Sequence, residues 1–544
     1  MKALFRIFAL SAISLSVIAR AEPLTFLHTK GEDIVDESGR KFMPRGLGLG
    51  NWTLTEGYMW RFGDQGDRPR RIEKIVSDLI GPDDAARFWQ EYRREYITEA
   101  DIRRLSELGF NIVRPSLNAR LFLTEGDNPQ PVAEGYEILD NLVKWCKANN
   151  VYLVIDMHAA PGGQTGANID DSPNDQPELF TNKRNQTLLT DLWVKIATRY
   201  KNEPVVAAYD LLNEPLPNRT GAAAKFKNEL QPLYERLTRA IREVDSRHII
   251  TIEGSDWAND WSVFTKPFAP NLLYQFHYYC WDNPVALKNV NKYIAFRDKY
   301  HVPIWAGETG ESDNLIYWGT TDYFEANNIG WSFWPWKKMD TDNTPFSVRR
   351  PEGWDAIAAY SRGGKEKPPI EDAKKSFQSL LQNIRLENCD FRPKVVNALF
   401  HRLPAKIEAE NFAHEGPGKS WFINASAQKA KRYRTSEPVP IESLSSSESG
   451  RRSGFAIKLN SGEWTAYEAS SEVEKSYEPI IRVKSGGGPA KLNFTAGDQS
   501  REIDVASTEW AELKIPSITV AKGENHFKLR AAQGTLLIDW FSFQ

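Results

Sequence analysis

Eight short apolar runs, alternating with longer amphipathic segments between about residues 40 and 340, constrain this chain more than any other feature. Apolar runs that are too short for helices, each followed by an amphipathic segment, read as βα units feeding a parallel sheet. The runs are Pro44–Leu49, Asn111–Arg114, Val151–Asp156, Val205–Leu212, His248–Glu253, Leu272–His277, Pro303–Gly307 and Gly330–Phe333. Between them Ile97–Leu108, Tyr136–Ala148, Leu188–Tyr200 and Ala222–Val244 place apolar residues three and four apart, the helical spacing. Eight strands is the number that closes a (β/α)8 TIM barrel. The rival is an open doubly wound sheet, which calls for a Gly-rich phosphate loop opening a helix. Gly46, Gly48 and Gly50 alternate in and just after the first run instead, and no helix opens there.

At 544 residues the chain exceeds what one hydrophobic core organises, so at least two domains are expected. The Gly/Lys/Pro-rich stretch Ser361–Pro369 resembles a boundary, but Glu371–Leu386 reads as a further helix, expected to close the barrel wall. The boundary is therefore placed at Leu403-Pro404, giving a barrel domain over residues 22–403. Beyond it, short alternating strands separated by Ser/Gly clusters (Ser445–Gly454, Ser485–Gly488) predict an all-β sandwich over 404–544 that folds without the barrel.

At the N-terminus Lys2 and Arg6 flank the start of an apolar run, Ile7–Ala19, followed by Ala19-Arg20-Ala21. This reads as a signal peptide over residues 1–21, with the mature chain starting near Glu22 and the protein secreted. The run is too short to anchor the chain in a bilayer, and no later segment predicts a membrane span. A formal net charge of −3 gives no reason to expect a nucleic-acid or anionic-membrane partner, and a monomer is expected. Cys146, Cys280 and Cys389 are too few and too scattered for a disulfide framework, and are expected as buried structural thiols, although one pair could close. The 18 Trp, 19 Tyr and 27 Phe are abundant enough to line a sugar site as well as a core, because flat aromatic faces stack on sugar rings.

In a parallel barrel, catalysis collects at the C-terminal ends of the strands. The predicted strand ends here carry Arg114, His158, Asn213-Glu214, His277 with Tyr279, Glu308 and Trp334. A lone strand-end Glu is more often a cap or an ion-pair partner. Polar or aromatic residues at six of eight ends point to a site for sugar binding and proton transfer. Glycoside cleavage needs one carboxyl to protonate the leaving oxygen and a second to meet the oxocarbenium-like centre, and Glu214 and Glu308 can face one another across a barrel mouth. Asn213 can donate to a sugar 2-hydroxyl. Arg114 and Tyr279 can hydrogen-bond Glu308, and His158 and His277 can bind hydroxyls or tune the acid. Trp334 can floor the sugar. A metal centre built from the His and Glu residues lacks any HExxH-like pairing, so no catalytic cofactor is expected.

Seven ordered stretches carry a family resemblance: Arg45-Gly46-Leu47, Asn111–Arg114, Asp156-Met157-His158, Leu212-Asn213-Glu214-Pro215, Phe276–Tyr279, Gly307-Glu308 and Trp331–Trp334. Together they resemble glycoside hydrolase family 5, the cellulase-like family of clan A. The resemblance implies a retaining double displacement, with Glu214 as acid/base and Glu308 as nucleophile. It also implies Arg114, His158, Asn213, His277, Tyr279 and Trp334 as the substrate-binding set. The loop Asp156–Gln164 and the segment Phe333–Lys337 are similar to those of exo-β-1,3-glucanases within the family, so a β-1,3-glucan polysaccharide or oligosaccharide is the favoured substrate. The alternatives are a β-1,4-glucanase, a β-mannanase, a glycosylceramidase, a transglycosylase, or a glycan-binding protein without catalysis. The insert Tyr58–Phe88 is expected to shape the subsites.

The tail resembles family 6 carbohydrate-binding modules in Ile407–Asn411, Gly462–Tyr467 and Leu537–Phe541. In a strand Glu408 and Glu410 point the same way, and with Asp539 they resemble that group's structural calcium site. Where such modules often carry a sugar-binding Asn, this sequence has Leu537, which predicts weak glycan binding, with Trp510 as the remaining platform.

Overall fold

The computed structural model describes residues 23–280, 284–312, 314–424, 433–449 and 454–544. The predicted export signal lies outside them. Eight parallel strands close a barrel: β1 (Arg45–Leu49), β2 (Ile112–Asn118), β3 (Tyr152–Ala159), β4 (Val206–Asp210), β5 (Ile249–Glu253), β6 (Leu272–His277), β7 (Ile304–Gly310) and β8 (Gly330–Trp334). Closure is made by β8 on β1, with Trp331 opposite Arg45 and Phe333 opposite Leu47. Each strand coincides with one of the eight apolar runs. β2, β3 and β7 run further than predicted, to Asn118, Ala159 and Gly310, because the polar residues at their ends stay buried in the barrel mouth.

The helices α1 (Pro69–Ile80), α2 (Pro82–Tyr96), α3 (Glu99–Glu107), α4 (Glu134–Ala148), α5 (Lys183–Tyr200), α6 (Ala222–Arg242), α7 (Asn291–Tyr300) and α8 (Asn314–Ala326) follow in order. Proline opens α1 and α2, where its missing N–H costs nothing. Thr98 and Asp101 form a capping box at the start of α3. No helix among the described residues is long and apolar enough to cross a membrane.

Two expectations are corrected. The insert after β1 mainly builds a helical layer: Ile72, Val76, Leu79, Phe88 and Tyr92 of α1 and α2 are buried. They face α9 (Trp354–Ser361) and α10 (Ile370–Asn383), where Phe377 meets Phe88 at 5.1 Å and Trp354 at 5.5 Å between ring centroids. Tyr58 is the residue of the insert that reaches the cleft wall. For the same reason α10, predicted to close the barrel wall, packs on α1 and α2 instead. Its apolar stripe packs on the insert and on Trp354 of α9.

None of the three cysteines forms a disulfide; Cys146 and Cys280 are buried, while Cys389 is partly buried, with its thiol turned onto the carbonyls of Asn383 and Arg385.

Beyond Leu403-Pro404 two antiparallel sheets stack. One has the order Ile441–Leu444, Gly454–Asn460, Thr535–Ser542, Ile480–Ser485, Ala511–Lys514, with Lys406–Glu408 added on Thr535–Ser542. The other runs Trp421–Phe422, Trp464–Ser471, Gly523–Gln533, Ala490–Ala496, Gln499–Val505. Strict alternation of buried and solvent-facing residues in Trp464–Ser471 and Ala490–Ala496 sends Tyr467, Ala469, Leu492 and Phe494 into the space between them. This unit packs firmly against the barrel. Trp318 of α8 belongs to its apolar core, Tyr433 and Phe455 join the barrel's core, and His414 pairs with Asp322 at 3.2 Å.

Candidate active site

Six of the eight predicted barrel site residues (Glu214, Glu308, His158, His277, Tyr279 and Trp334) line one cleft of about 720 Å³ at the C-terminal mouth of the barrel. Arg114 and Asn213 are fully buried beneath it. The cleft floor explains the glycines of the first strand. A Cβ on Gly48 would lie 2.4 Å from the Trp334 ring and one on Gly50 2.5 Å from it, so the side-chain-free edge of β1 makes room for the indole. Trp334 stacks on His158 at 5.4 Å with 3° between the planes, and its Nε1 donates to Tyr58 Oη at 3.1 Å.

Arg114 organises the layer below. Its Nη1 donates to Glu308 Oε1 at 2.6 Å, its Nε to Asp210 at 2.8 Å, and its Nη2 to Asn213 Oδ1 at 2.7 Å and Glu253 at 3.1 Å. Tyr279 donates to the other oxygen of Glu308 at 2.7 Å. His277 shares a hydrogen bond with Glu214 Oε1 at 2.7 Å through Nδ1, and its Nε2 faces Glu253 at 3.3 Å. The backbone N–H of Glu214 donates to Glu253 Oε2 at 2.7 Å. One ligand atom each of Glu214, His277 and Glu308 lie within 4.8 Å of one another. That spacing could admit an ion. However, both oxygens of Glu308 are engaged by Arg114 and Tyr279, and His277 carries a proton between the carboxylates, so the trio reads as a proton-sharing group.

Burial and charge push the two glutamates apart. Burial raises Glu214 to about 7, against the lowering pull of its His277 hydrogen bond and charge. Burial also works to raise Glu308, but the charges of His277 and Arg114 and the Tyr279 bond outweigh it and hold the carboxyl below its usual value. Glu253 is likewise held low: burial is overcome by His277 and Arg114. Asp156 and Asp210 go well above the usual range, burial exceeding the help from Arg114. Burial would discharge His277, but Glu253, Glu308 and Glu214 keep it cationic, whereas burial pushes His158 down to about 3 and leaves it neutral. Two cations, Arg114 and His277, thus balance two carboxylates, Glu308 and Glu253. Burial raises the remaining acids of the layer, Asp156, Asp210 and Glu214, which lessens the charge that so many carboxyls bring into one dry layer.

The sequence reading missed Asp210, Glu253 and Gln275 in this layer, and Glu56 and Glu311 on the cleft wall. Glu253 ends a predicted strand and was available to the same strand-end argument. Glu56 stands in a loop with no periodic signal. Asn213, read as a donor to a sugar hydroxyl, has its Oδ1 fixed by Arg114 and its Nδ2 set against His158 Nε2 at 3.2 Å, so it also ties the two halves of the layer together.

The family model described as Cellulase (glycosyl hydrolase family 5) matches residues 82–340, which carry every one of these catalytic-layer residues. The barrel is thus similar to glycoside hydrolase family 5 enzymes over a stretch that makes up somewhat less than half of the chain. A β-xylosidase of Phanerodontia chrysosporium is 30% identical over 260 residues, covering 47% of this chain and 52% of that protein. Endoglucanase C of Acetivibrio thermocellus is 26% identical over 315 residues, covering 46% of this chain and 88% of that protein. A probable glucan 1,3-β-glucosidase A of Neosartorya fischeri is 26% identical over 255 residues, covering 46% of this chain and 59% of that protein. The chain thus spans about half the length of the first of these relatives. The family match ends at residue 340 and leaves the C-terminal sheets outside it.

Glu408, Glu410 and Asp539 stand apart from the cleft, buried at one corner of those sheets. Adjacent strands bring them together: Glu408 faces Trp540 in register, and the Ala409 N–H donates to the Asp539 carbonyl at 2.8 Å. Asp539 pairs with Arg482, and Glu408 lies 3.5 Å from Lys406 Nζ. Three buried carboxylates are a hard-oxygen set of the kind calcium takes.

Proposed function

We propose that the chain is a secreted, retaining hydrolase of β-glucosidic bonds, with β-1,3-glucan as the favoured substrate, Glu214 as acid/base and Glu308 as nucleophile. One observation carries the mechanism. Carboxylate oxygens of Glu214 and Glu308 approach within 4.8 Å while their environments drive their protonation in opposite directions. Covalent double displacement places its two carboxyl groups about 5–5.5 Å apart, whereas inversion needs about 6.5–9.5 Å to admit a water. Glu214 carries the proton for the leaving oxygen; Glu308, ionised and aimed by Arg114 and Tyr279, forms the bond to the anomeric carbon. Breakdown reverses the roles: Glu214, now a carboxylate, takes a proton from the attacking water. His277 touches Glu214 and lies 3.6 Å from Glu308, so one cation serves both steps.

The substrate reading rests on the loop Asp156–Gln164, similar to that of exo-β-1,3-glucanases, and is supported by the glucan 1,3-β-glucosidases among the relatives. A product profile on β-1,3-, β-1,4-, β-1,6- and mixed-linkage glucans tests it. Release of glucose or short oligomers from laminarin at a rate at least about tenfold above that on β-1,4-glucan is expected, a tenfold difference being about 1.4 kcal/mol of transition-state preference. Preference for β-1,4-glucan or mannan would replace the assignment.

For the C-terminal unit we propose a carbohydrate-binding-module-like sandwich with little affinity for neutral glucan. Leu537 lies between Lys458 and Lys484 on neighbouring strands, and the Trp510 ring is faced by Arg482 at 4.8 Å and Lys484 at 4.7 Å, so its apolar face is not bare. We also propose calcium at Glu408, Glu410 and Asp539. A ligand of the folded state at 100 times its Kd stabilises by about 2.7 kcal/mol, so millimolar calcium is expected to raise the unfolding temperature of the full chain by several degrees over a chelated sample. Identical melting with and without excess chelator would remove the metal.

A further inference from the structure

On the Glu214 side of the cleft, three loops converge on one exposed cation. The loop after β5 carries three consecutive non-glycine residues in the left-handed region: Asp256 (φ 53°), Trp257 (φ 60°) and Ala258 (φ 65°). Such a run costs free energy and persists where its surroundings over-determine it. Here they do. The Asp256 carboxylate accepts from the Asn218 backbone N–H at 2.8 Å and from its Nδ2 at 2.6 Å, and the Asp256 N–H donates to the Leu216 carbonyl at 3.0 Å. Glu214 (φ 42°) and Leu216 (φ 54°) are themselves left-handed, so the strained turn is tied directly to the segment that presents the acid.

The turn holds Trp257 on the cleft wall, with Arg219, Asn168 and Asn259 beside it. The Arg219 guanidinium sits 5.1 Å from the Trp257 ring centroid and donates to Asn168 Oδ1. Arg219 is exposed, and among the described residues no carboxylate pairs with it. Glu214, whose carboxyl burial raises to about 7, lines the same cleft. Trp334, Tyr58, Glu56 and Glu311 line the same cleft from the loops and strand ends of β8, β1 and β7, the side of the nucleophile. A sugar seated on Trp334 therefore sends its leaving group past Glu214 towards Arg219 and Trp257.

We propose that Arg219 and Trp257 form a leaving-group subsite that selects a ring bearing a carboxylate, such as a uronate or an aryl carboxylate. The indole supplies a stacking face, and the guanidinium, planar and forked, supplies bidentate recognition of the anion. Arg219 is held in place over the ring by Asn168 and by the cation–π contact, both available before substrate arrives, so little ordering is lost on binding. The proposal rests on the reading that Glu214 protonates the leaving oxygen, because that reading fixes which end of the cleft receives the leaving group.

The test compares kcat/KM for 4-carboxyphenyl and 4-carbamoylphenyl β-D-glucoside in the wild type, Arg219→Gln, Arg219→Lys and Trp257→Ala. Taking the ratio of the two substrates within each variant, then comparing variants, cancels their different leaving-group chemistry. The ratio is expected to fall about fivefold to tenfold in Arg219→Gln and by a smaller factor in Arg219→Lys, which retains the charge but loses the bidentate fork. Trp257→Ala should lower both rates at least about threefold, and added salt near 0.5 M should erode the wild-type preference, since the cation is solvent-exposed. Turnover of both glucosides at a ratio that Arg219→Gln leaves unchanged would overturn the subsite alone. No turnover of either by the wild type would overturn the β-glucosidic reading and the subsite with it.

Discussion

Glu308→Gly is expected to abolish turnover, by about 10⁴-fold or more, and azide or formate is expected to restore it on an activated β-glucoside. A loss of that size corresponds to about 5.5 kcal/mol of transition-state stabilisation. The structure says why rescue should work here. Removing the carboxylate leaves Arg114 Nη1, which stood 2.6 Å from Glu308, and the Tyr279 hydroxyl, which stood 2.7 Å away, pointing into an empty space beside cationic His277. Glu253 still offsets one of the two cations, so one positive charge is left uncompensated in a buried pocket; it draws in a small anion, and that anion is placed where the nucleophile was. Attack from that face on a β-glucoside gives a product of α configuration, the inverted anomer. Glu308→Gln serves as the folding control, because it keeps the shape of the side chain and should melt close to the wild type while remaining inactive. More than about 1% of wild-type activity in Glu308→Gly without added anion would remove Glu308 as nucleophile, as would a β-configured azide product.

That prediction draws on residues the sequence exposed to different degrees. The barrel was legible because each strand is buried on both faces and so reads as an uninterrupted apolar run, and because the strand-end positions of Glu214, Glu308, His277 and Trp334 follow from the topology alone. Gly48 and Gly50 were visible as an alternation, but their purpose was not: it lies in an indole 286 and 284 residues further along the chain (334 − 48 and 334 − 50). Glu253, Asp210 and Gln275 escaped notice because their role is collective. Each looks like an ordinary strand residue until Arg114 and His277 are placed among them and the charges have to be balanced. The insert Tyr58–Phe88 was misjudged for a plainer reason: amphipathic helices α1 and α2 have an apolar face, and only the fold shows that α9 and α10 cover it rather than a glycan. The apolar alternation of the tail predicted its sheets, yet gave no sign that Trp318, from the barrel, would complete their core.

Glu214→Ala should separate the acid from the nucleophile. Only a poor leaving group needs its oxygen protonated as the glycosidic bond breaks; a nitrophenolate leaves unaided. General-acid assistance contributes about 10²–10⁴-fold, so Glu214→Ala should lose about that much on laminarin or on an alkyl β-glucoside while the glycosylation step on a 4-nitrophenyl β-glucoside falls about tenfold or less. The pH profile gives an independent reading of the same residue. Glu214 works protonated, and burial raises it to about 7, so wild-type kcat/KM should decline as pH rises through about 7. Glu308 works ionised and is held below its ordinary value of 4.5, so the opposite limb, a loss as pH falls, should lie below that pH. On the 4-nitrophenyl substrate Glu214→Ala should erase the limb near 7 and leave the acidic one. His277 faces both glutamates, so the variant isolates the contribution of Glu308. Azide should again accelerate the variant, this time by replacing water in the second step, where no base remains to activate it; the product then keeps the β configuration. Equal losses on good and poor leaving groups, or a limb near 7 that survives in Glu214→Ala, would take the acid/base role away from Glu214.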